Sequence, residues 1–428
     1  MKTYLKYFLA LTAFAIFWVN SAAVTTLDKA APEQTGLDSE RLALIDVKFQ
    51  RYIDEGKTAG LIGAIANKEH VGYLKPFGYQ DIENRVPMTE ETIFRIYSMS
   101  KPITAVALMI LYEEGRFHLQ DPISKYLPEF SNLKVFKAQD GEKMVLEDVD
   151  HVPTIKELMT HTAGFTYGFF GDTPVDKLYR QAGILQTPDR NLKDFTHKLA
   201  TLPLLYQPGS RWAYSVSVDV QGRLIEVSSG QSFEAFLQER IFTPLQMVDT
   251  GFYVPAEKMD RFAVAYYPDP KTHKLAVYDP QIGLFSKAPT LASGGGGLVS
   301  TTQDYIRFGQ MLLNHGSLNG QRILGRKTVE LMTSNHITHL NDGVNVAANS
   351  GVSSSAFGFG LGFGIDLNVA NTGSPGSVGS YFWGGMASTI FWIDPKEDIL
   401  ALVMTQLVPS NTLPLREDFK VLTYQALH

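Results

Sequence analysis

Strand-like runs of apolar residues occupy both ends of the chain, and the long segment between them has mainly helical periodicity. Residues 101–290 repeat apolar positions at intervals of three and four, apart from loops and a charged, hairpin-like stretch at residues 138–150. The strand-like runs lie outside this segment, at residues 61–66, 70–77, 357–365, 380–383, 388–393 and 399–405. A final helix is predicted over residues 416–426.

Strands at both ends of one chain predict a single antiparallel sheet, with the helical segment inserted between them. The predicted fold class is therefore α+β, an antiparallel sheet flanked by helices plus an inserted, mainly helical lobe. We expect the sheet lobe to comprise about residues 24–100 and 290–428, and the helical lobe residues 101–289. Ligand sites tend to form in the cleft between two such lobes.

The change from strand pattern to helix pattern carries the most informative motif, Ser98-Met99-Ser100-Lys101. An apolar run at residues 92–97 precedes it, and a helix predicted over residues 102–114 follows, with a proline in its first turn. Residues three apart share a helix face, so the Lys101 amine can reach the Ser98 hydroxyl. A desolvated lysine can act as the general base that a serine nucleophile needs.

The tetrad by itself leaves two alternatives open. Ser98 can instead be an N-cap or turn serine with a structural role only. Ser131-Asn132-Leu133-Lys134 has the same spacing, but it follows a loop-like stretch and no clear helix comes after it. We therefore take the Ser98 copy as the candidate nucleophile.

Two later segments can complete a hydrolase site, and each has a structural alternative. Tyr214 lies between a tight-turn signal and a helix predicted over residues 218–228, a position from which a phenol can point into a cleft. Core packing is the alternative for a tyrosine. Trp383-Gly384-Gly385-Met386 ends a late strand, where paired glycines let backbone N–H groups approach a ligand, or simply permit a close strand connection.

The first 23 residues have the pattern of an export signal. Lys2 and Lys6 precede an apolar stretch at residues 7–19, and Ser21-Ala22-Ala23 supplies small residues for cleavage. The alternative is an uncleaved anchor, but this stretch is shorter than the ~20 residues that span a bilayer. The sequence thus predicts an exported protein, periplasmic or secreted, with no stable membrane span after cleavage.

Charge and cysteine content exclude several classes of function. The net charge is −6, and it becomes −8 without Lys2 and Lys6, which argues against a nucleic-acid partner. The absence of cysteine rules out disulfides, a cysteine nucleophile, thiolate metal sites and a lipidated cysteine.

No pattern in the sequence predicts a metal or a cofactor. His336 and His339 are a close histidine pair, but they have no acidic neighbour in a zinc-type pattern, so a surface loop is the better interpretation. The four glycines at residues 294–297 are not followed by the Lys-Ser/Thr of a phosphate loop, and we interpret them as a backbone turn.

Taken in order, Ser98-Met99-Ser100-Lys101, Tyr214-Ser215-Val216 and Trp383-Gly384-Gly385 resemble the three motifs of the class C β-lactamase-like serine hydrolases. The pattern is most similar to that of the family VIII carboxylesterases. Further stretches similar to the family lie at residues 158–165, 208–209 and 297–301, and the resemblance spans roughly residues 61–405.

The resemblance implies a β-lactamase/transpeptidase-like fold and acyl transfer without a cofactor. It implies that Ser98 forms the acyl-enzyme and that Lys101 and Tyr214 act together as general base and acid. Backbone N–H groups of Ser98 and Met386 would form the oxyanion hole. Which of Lys101 and Tyr214 takes the first proton stays open, since the base is disputed in related Ser-x-x-Lys enzymes.

Departures from the β-lactamase pattern favour esters as substrates. Trp383-Gly384-Gly385, a candidate substrate-binding segment, replaces Lys-Thr-Gly, and Val216 replaces the asparagine of Tyr-x-Asn. Two polar anchors, worth about 1–3 kcal/mol each, are therefore lost, and reactive esters tolerate this better than amides. The aromatic stretch at residues 165–170, with Phe165 and Tyr167, is a candidate acyl pocket or, alternatively, loop packing.

The sequence thus predicts an exported serine esterase whose partner is a small-molecule ester. A β-lactamase or D-amino-acid peptidase of the same fold is the nearest alternative. A non-catalytic binding protein is the alternative from another class, and intact Ser98, Lys101 and Tyr214 argue against it. An α/β-hydrolase lipase is disfavoured because no Gly-x-Ser-x-Gly occurs in the chain. The oligomeric state is not predicted.

Overall fold

The computed structural model of the protein describes residues 27–141, 143–185, 190–278, 282–340 and 356–428. The predicted export signal at residues 1–23 lies outside this range. The helices are α1 (Ser39–Asp54), α2 (Ser100–Glu113), α3 (Ile155–Met159), α4 (Pro174–Gln181), α5 (Leu192–Leu199), α6 (Ser217–Ser229), α7 (Phe233–Leu237), α8 (Ile282–Phe285), α9 (Thr302–Leu313), α10 (Arg326–Met332), α11 (Val369–Thr372) and α12 (Leu415–Tyr424).

The strands range from two to eleven residues, and β2 is the longest. They are β1 (Gly60–Ala66), β2 (Val71–Asp81), β3 (Val86–Pro87), β4 (Ile93–Arg95), β5 (Lys134–Asp140), β6 (Lys143–Asp148), β7 (Tyr266–Pro268), β8 (Leu275–Val277), β9 (Val299–Thr301), β10 (Ser317–Leu318), β11 (Gln321–Arg322), β12 (Phe357–Phe359), β13 (Gly364–Asp366), β14 (Tyr381–Gly384), β15 (Ile390–Asp394) and β16 (Ile399–Thr405).

The main sheet joins strands from both ends of the chain. Among the described residues it has eight strands in the order β12-β13-β14-β15-β16-β1-β2-β3, and neighbouring strands are antiparallel. The ends of the chain meet where β1 pairs with β16, with Leu61 opposite Thr405. The predicted α+β class with one antiparallel sheet is confirmed, whereas the boundaries of the two lobes stay a prediction.

Both faces of this sheet are covered, which explains why β1 and β16 are buried along their whole length. On β1, Ile62 and Ala64 pack into the large core that contains α2 and α9, while Leu61 and Ile65 face the opposite way. That second face is closed by a smaller cluster with side chains of α1 and α12.

Helix α2 is the buried helix that begins beside Ser98. Every residue from Ser100 to Leu111 is buried, because this helix is apolar on nearly all sides and lies inside the main core. It begins two residues before the predicted start at residue 102, so that Lys101 lies within its first turn.

One predicted strand is two strands in the structure. The apolar run at residues 357–365 forms β12 and β13, which pair with each other as a hairpin. Gly362 lies in the connection with φ +98°, and a Cβ there would lie 2.5 Å from the Cβ of Ala105 on α2. The turn is therefore set by the left-handed backbone and the close approach to α2, which hydrophobic periodicity does not reveal.

None of the helices in the described ranges combines the length and hydropathy that a membrane span requires.

Candidate active site

Ser98 lies in a short 3-10 turn, Tyr97–Met99, between strand β4 and helix α2. The preceding residue, Tyr97, has φ +43°, an unfavourable backbone conformation for a bulky side chain. Burial of the Tyr97 ring, edge-on to Phe285 at 6.1 Å, offsets the cost of this conformation. The turn leaves Ser98 half-buried at the start of α2.

Lys101 brings its amine to Ser98. The side chain is 1% exposed, and Nζ donates to Ser98 Oγ at 3.1 Å and to the carbonyl of Gly295 at 2.6 Å. The i to i+3 relation on a helical turn places the two side chains on one face, as the spacing predicts. The structure thus brings a hydroxyl and a buried amine within hydrogen-bonding distance.

Tyr214 lies next to this amine. Its half-buried ring, just before α6, has its centroid 4.6 Å from Lys101 Nζ, and the ring of Tyr167 lies 5.2 Å from the same atom. Two phenol rings therefore face the amine at cation–π distance. Burial raises the pKa of the Tyr167 phenol, and the nearby Tyr214 and Asp219 raise it further.

Asp219, on α6, is a residue of this cluster that the sequence did not single out. Its carboxylate is fully buried and accepts hydrogen bonds from Ser293 Oγ at 2.5 Å and from the Gly295 N–H at 3.1 Å. Burial raises the pKa of Asp219, while those two donors and the charge of Lys101 lower it. Gly295 thus links the carboxylate, through its N–H, to the amine, through its carbonyl.

Gly295 belongs to the run of four glycines at residues 294–297, which the sequence predicted to be a backbone turn. In the structure Gly295 does lie in a turn. A Cβ at this position would lie 2.7 Å from Asp219 Oδ2 and 2.9 Å from Tyr167 Oη. A side chain would therefore push apart the carboxylate and the phenol, so glycine is needed for the link to Lys101. No motif signals Asp219, because its partners are far away in the sequence.

The Trp383-Gly384-Gly385-Met386 segment lies beside the turn that contains Ser98. A Cβ on Gly385 would lie 2.5 Å from the carbonyl oxygen of Ile96, so strand β14 ends in direct contact with the chain two residues before Ser98. The Gly385 N–H donates to Thr389 O at 2.9 Å. Met386, half-buried, follows at the tip of this β14–β15 connection and packs on the cluster that contains Tyr97.

Arg416, on α12, binds the backbone of the β14–β15 connection. Its Nη2 donates to Gly385 O at 2.9 Å and to Thr389 O at 3.0 Å. Removal of the guanidinium from water lowers the pKa of Arg416 to about 10. Two backbone carbonyls of the hairpin are thereby held by one side chain.

Aromatic rings surround Tyr214. The ring of Trp383 lies 5.5 Å from it, that of His161 5.1 Å, and Trp212 stacks on it at 6.1 Å. Burial, together with the charge of Lys101, lowers the pKa of His161 well below its usual value, so His161 is neutral near pH 7. Tyr214 is therefore packed among rings, in addition to its contact with the Lys101 amine.

Phe165 is the one predicted site residue that the structure does not bring to this cluster. It is fully buried and packs edge-on against Phe130 at 5.8 Å, within the main core. A ring without exposed surface does not line an open pocket, so the structure corresponds to the packing alternative at this position.

The second Ser-x-x-Lys tetrad does not form a comparable pair. Ser131 Oγ donates to Pro128 O at 2.8 Å, and Lys134 begins strand β5 and binds Asp148 at 2.5 Å on the surface. The histidine pair is likewise engaged with backbone, since His336 and His339 each donate to a carbonyl. Among the residues placed by the structure, no cluster of acidic and histidine side chains has the composition of a metal site.

Comparison with known proteins supports the resemblance. Protein Rv1367c of Mycobacterium tuberculosis is 33% identical over 368 residues, which cover 84% of this chain and 89% of that protein. Esterase EstB of Burkholderia gladioli is 29% identical over 400 residues, which cover 87% of this chain and 93% of EstB. The solved structure of EstCE1, described as a hydrolase with promiscuous acyltransferase activity, superimposes with a TM-score of 0.75 at 25% identity, covering 90% of this chain and 99% of that one.

The sequence profile of the beta-lactamase family matches residues 45–425. This match and the relatives named esterase confirm the predicted β-lactamase-like serine hydrolase and its fold. The chain belongs to the beta-lactamase family.

Proposed function

We propose that the protein hydrolyses carboxylic esters through an acyl-enzyme on Ser98. The observation that supports this most is the 3.1 Å hydrogen bond between Lys101 Nζ and Ser98 Oγ, in a site lined by aromatic rings. In its neutral form the amine can accept the hydroxyl proton while Oγ attacks the ester carbonyl carbon. Tyr214, whose ring faces the amine, then passes that proton to the leaving alcohol oxygen as the carbon–oxygen bond breaks.

The tetrahedral intermediate needs donors for its oxyanion. Backbone N–H groups of Ser98 and Met386 are our candidates, and the contact of Gly385 with Ile96 supports them because it brings the two backbone segments together. Arg416 supports the same geometry by holding the Gly385 carbonyl. Water then attacks the acyl carbon, Ser98 recovers its proton, and the carboxylic acid leaves.

Esters are favoured over β-lactams by the side chain at position 383. The Trp383 ring packs against Tyr214 and Phe359, at 5.5 and 5.4 Å, where the β-lactamase pattern has an ammonium group for the substrate carboxylate. An indole cannot supply that charge. The names of EstB and EstCE1 agree with ester chemistry.

The test is turnover of p-nitrophenyl acetate and butyrate, with a chromogenic cephalosporin in parallel. We expect ester turnover by the wild type and a loss of at least about 1,000-fold in Ser98→Ala and Lys101→Ala, the range seen when nucleophile or base is removed. Lys134→Ala, the matched lysine of the second tetrad, should retain full activity. Faster turnover of the cephalosporin than of either ester would reverse the ranking of substrates. A loss of activity in Lys134→Ala with Lys101→Ala intact would show that the site is misassigned.

We also propose that the protein is exported to the periplasm or beyond. The pattern of residues 1–23 and the absence of cysteine support this. The proposed partner is the ester substrate, and the acidic net charge of −6 speaks against nucleic acid.

A further inference from the structure

Two neighbouring phenylalanines are exposed beside the candidate active site. Phe169 is 57% exposed and Phe170 64%, although large apolar side chains are usually buried. Their rings lie 4.5 Å apart, so they form one apolar surface rather than two isolated side chains. We call Phe169 and Phe170 the aromatic pair.

The loop that carries the aromatic pair is fixed by polar contacts on both sides. Arg180, on α4, donates to Gly171 O at 3.0 Å and to Asp172 Oδ1 at 2.5 Å, and also to the carbonyl of Gly168. Asp176, on the same helix, accepts a hydrogen bond from Thr166 at 2.6 Å. The pair is therefore presented to solvent by an anchored loop.

The aromatic pair is continuous with the catalytic candidates. The Phe170 ring lies 5.5 Å from Tyr214 and the Phe169 ring 5.1 Å from Tyr167. Among the described rings in contact with Tyr214, Phe170 is the only exposed one, because the others are buried or half-buried. Apolar surface thus extends from Tyr214 outward to solvent through Phe170.

The location of the aromatic pair beside Tyr214 indicates which portion of the ester it contacts, the acyl or the alcohol portion. In the proposed mechanism, which the inference rests on, Tyr214 donates a proton to the alcohol oxygen as that oxygen leaves the acyl carbon. The alcohol oxygen must then lie within hydrogen-bond distance of the Tyr214 hydroxyl, and the group attached to it lies near Tyr214. We propose that the aromatic pair binds the apolar alcohol portion of the substrate, so that the enzyme prefers esters of bulky apolar alcohols.

The experiment compares acetates that differ only in the alcohol, namely ethyl acetate and 2-naphthylmethyl acetate. Both give the same acetyl-enzyme, so a difference in kcat/KM belongs to acylation and therefore to contacts with the alcohol. We expect the wild type to prefer the naphthylmethyl ester, and the double variant Phe169→Ala/Phe170→Ala to lose about 5- to 10-fold of that preference.

A second series and a direct binding measurement complete the test. Ethyl acetate and ethyl phenylacetate differ on the acyl side, and their ratio should be unchanged in the double variant. Binding of 2-naphthalenemethanol, the product alcohol, is measured by fluorescence on Ser98→Ala with the aromatic pair intact and with both phenylalanines replaced by alanine. It should weaken about 5- to 10-fold when the pair is replaced. Tyr79→Ala removes a 41% exposed aromatic ring from strand β2 and is the matched control.

The outcomes separate this inference from the proposed function. If the double variant changes the ratio of ethyl phenylacetate to ethyl acetate turnover but keeps the alcohol preference, the aromatic pair contacts the acyl group and the inference is overturned. Equal binding of the naphthyl alcohol with and without the pair would overturn it too, even if no ester is turned over. Pair-dependent binding to phosphatidylcholine vesicles with unchanged alcohol preference would identify a lipid-docking surface instead. Absence of ester turnover with pair-dependent alcohol binding would reject the proposed function but not the binding site.

Discussion

Asp219 provides a buried negative charge near the buried amine of Lys101, and the two are connected through Gly295. We expect Asp219→Asn to lower kcat/KM for p-nitrophenyl acetate by about 10- to 100-fold, because hydrogen bonds to charged groups contribute about 1.5–3 kcal/mol. Burial raises the pKa of Asp219, so the part of the acidic limb of the kcat/KM–pH profile that comes from protonation of this carboxylate should disappear in the variant. The variant keeps the other titratable side chains that face that amine, Tyr214, Tyr167 and His161. Of these, Tyr167 loses the nearby charge of Asp219 that helps to raise its pKa.

A purely structural role for Asp219 predicts a different result. In that case the variant would lose thermal stability while the pH limb stayed in place. Asp304→Asn replaces an equally buried aspartate of helix α9 and is the control, with an unchanged activity profile expected.

Local spacing explains why Ser98 and Lys101 could be predicted and Asp219 could not. The first two are three residues apart, and one helical turn brings them together. The Gly295 carbonyl that binds Lys101 is 194 residues away, and only the folded chain places it there. Phe165 illustrates the same limit, because nothing in an aromatic stretch tells which ring faces the core.

Among the secondary-structure elements, some predicted segments match the structure closely, whereas β2 continues to Asp81, four residues beyond the predicted run at residues 70–77. Helix α6 and strand β16 match the predicted segments to within a residue at each end. The prediction of a single strand at residues 357–365 was wrong. The division into β12 and β13 depends on the close approach of Gly362 to α2, which the sequence pattern does not reveal. Periodicity reports which face of an element is buried but not which backbone lies against it.

Helix α9 is joined to the chain at residues 249–250 by a buried carboxylate whose protonation affects stability. Asp304 is 2% exposed and accepts hydrogen bonds from Asp249 N and Thr250 Oγ1, and burial raises its pKa to about 6. The charge of Asp249 raises this pKa further, and that of Arg307 lowers it. Because the folded state binds this proton more tightly than the unfolded state, the free energy of unfolding falls as pH rises from about 4 to 6.

Asp304→Asn should remove this contribution. We expect the stability of the wild type relative to the variant to decrease between pH 4 and 6, by about 1 kcal/mol per pH unit at the steepest point. Urea unfolding at several pH values measures it. A difference that stays constant or grows over this range would show that Asp304 is ionised in the folded state throughout.

For the molecule as a whole, the proposed export predicts that the protein acts in a form without its first 23 residues. We expect secreted or periplasmic protein from a bacterial host to begin near residue 24, because signal peptidase cleaves after small residues such as Ala23. N-terminal sequencing of the purified protein measures this. Full-length protein retained in the membrane fraction would support the uncleaved anchor instead.

The central claim is that Ser98 becomes acylated, and peptide mass spectrometry of trapped enzyme tests it most directly. The protein is incubated with a fluorophosphonate or with a p-nitrophenyl ester, quenched in acid and digested. We predict one adduct, on the peptide that contains Ser98, and none in Ser98→Ala. An adduct on another serine such as Ser131, or ester turnover that persists in Ser98→Ala, would contradict the claim.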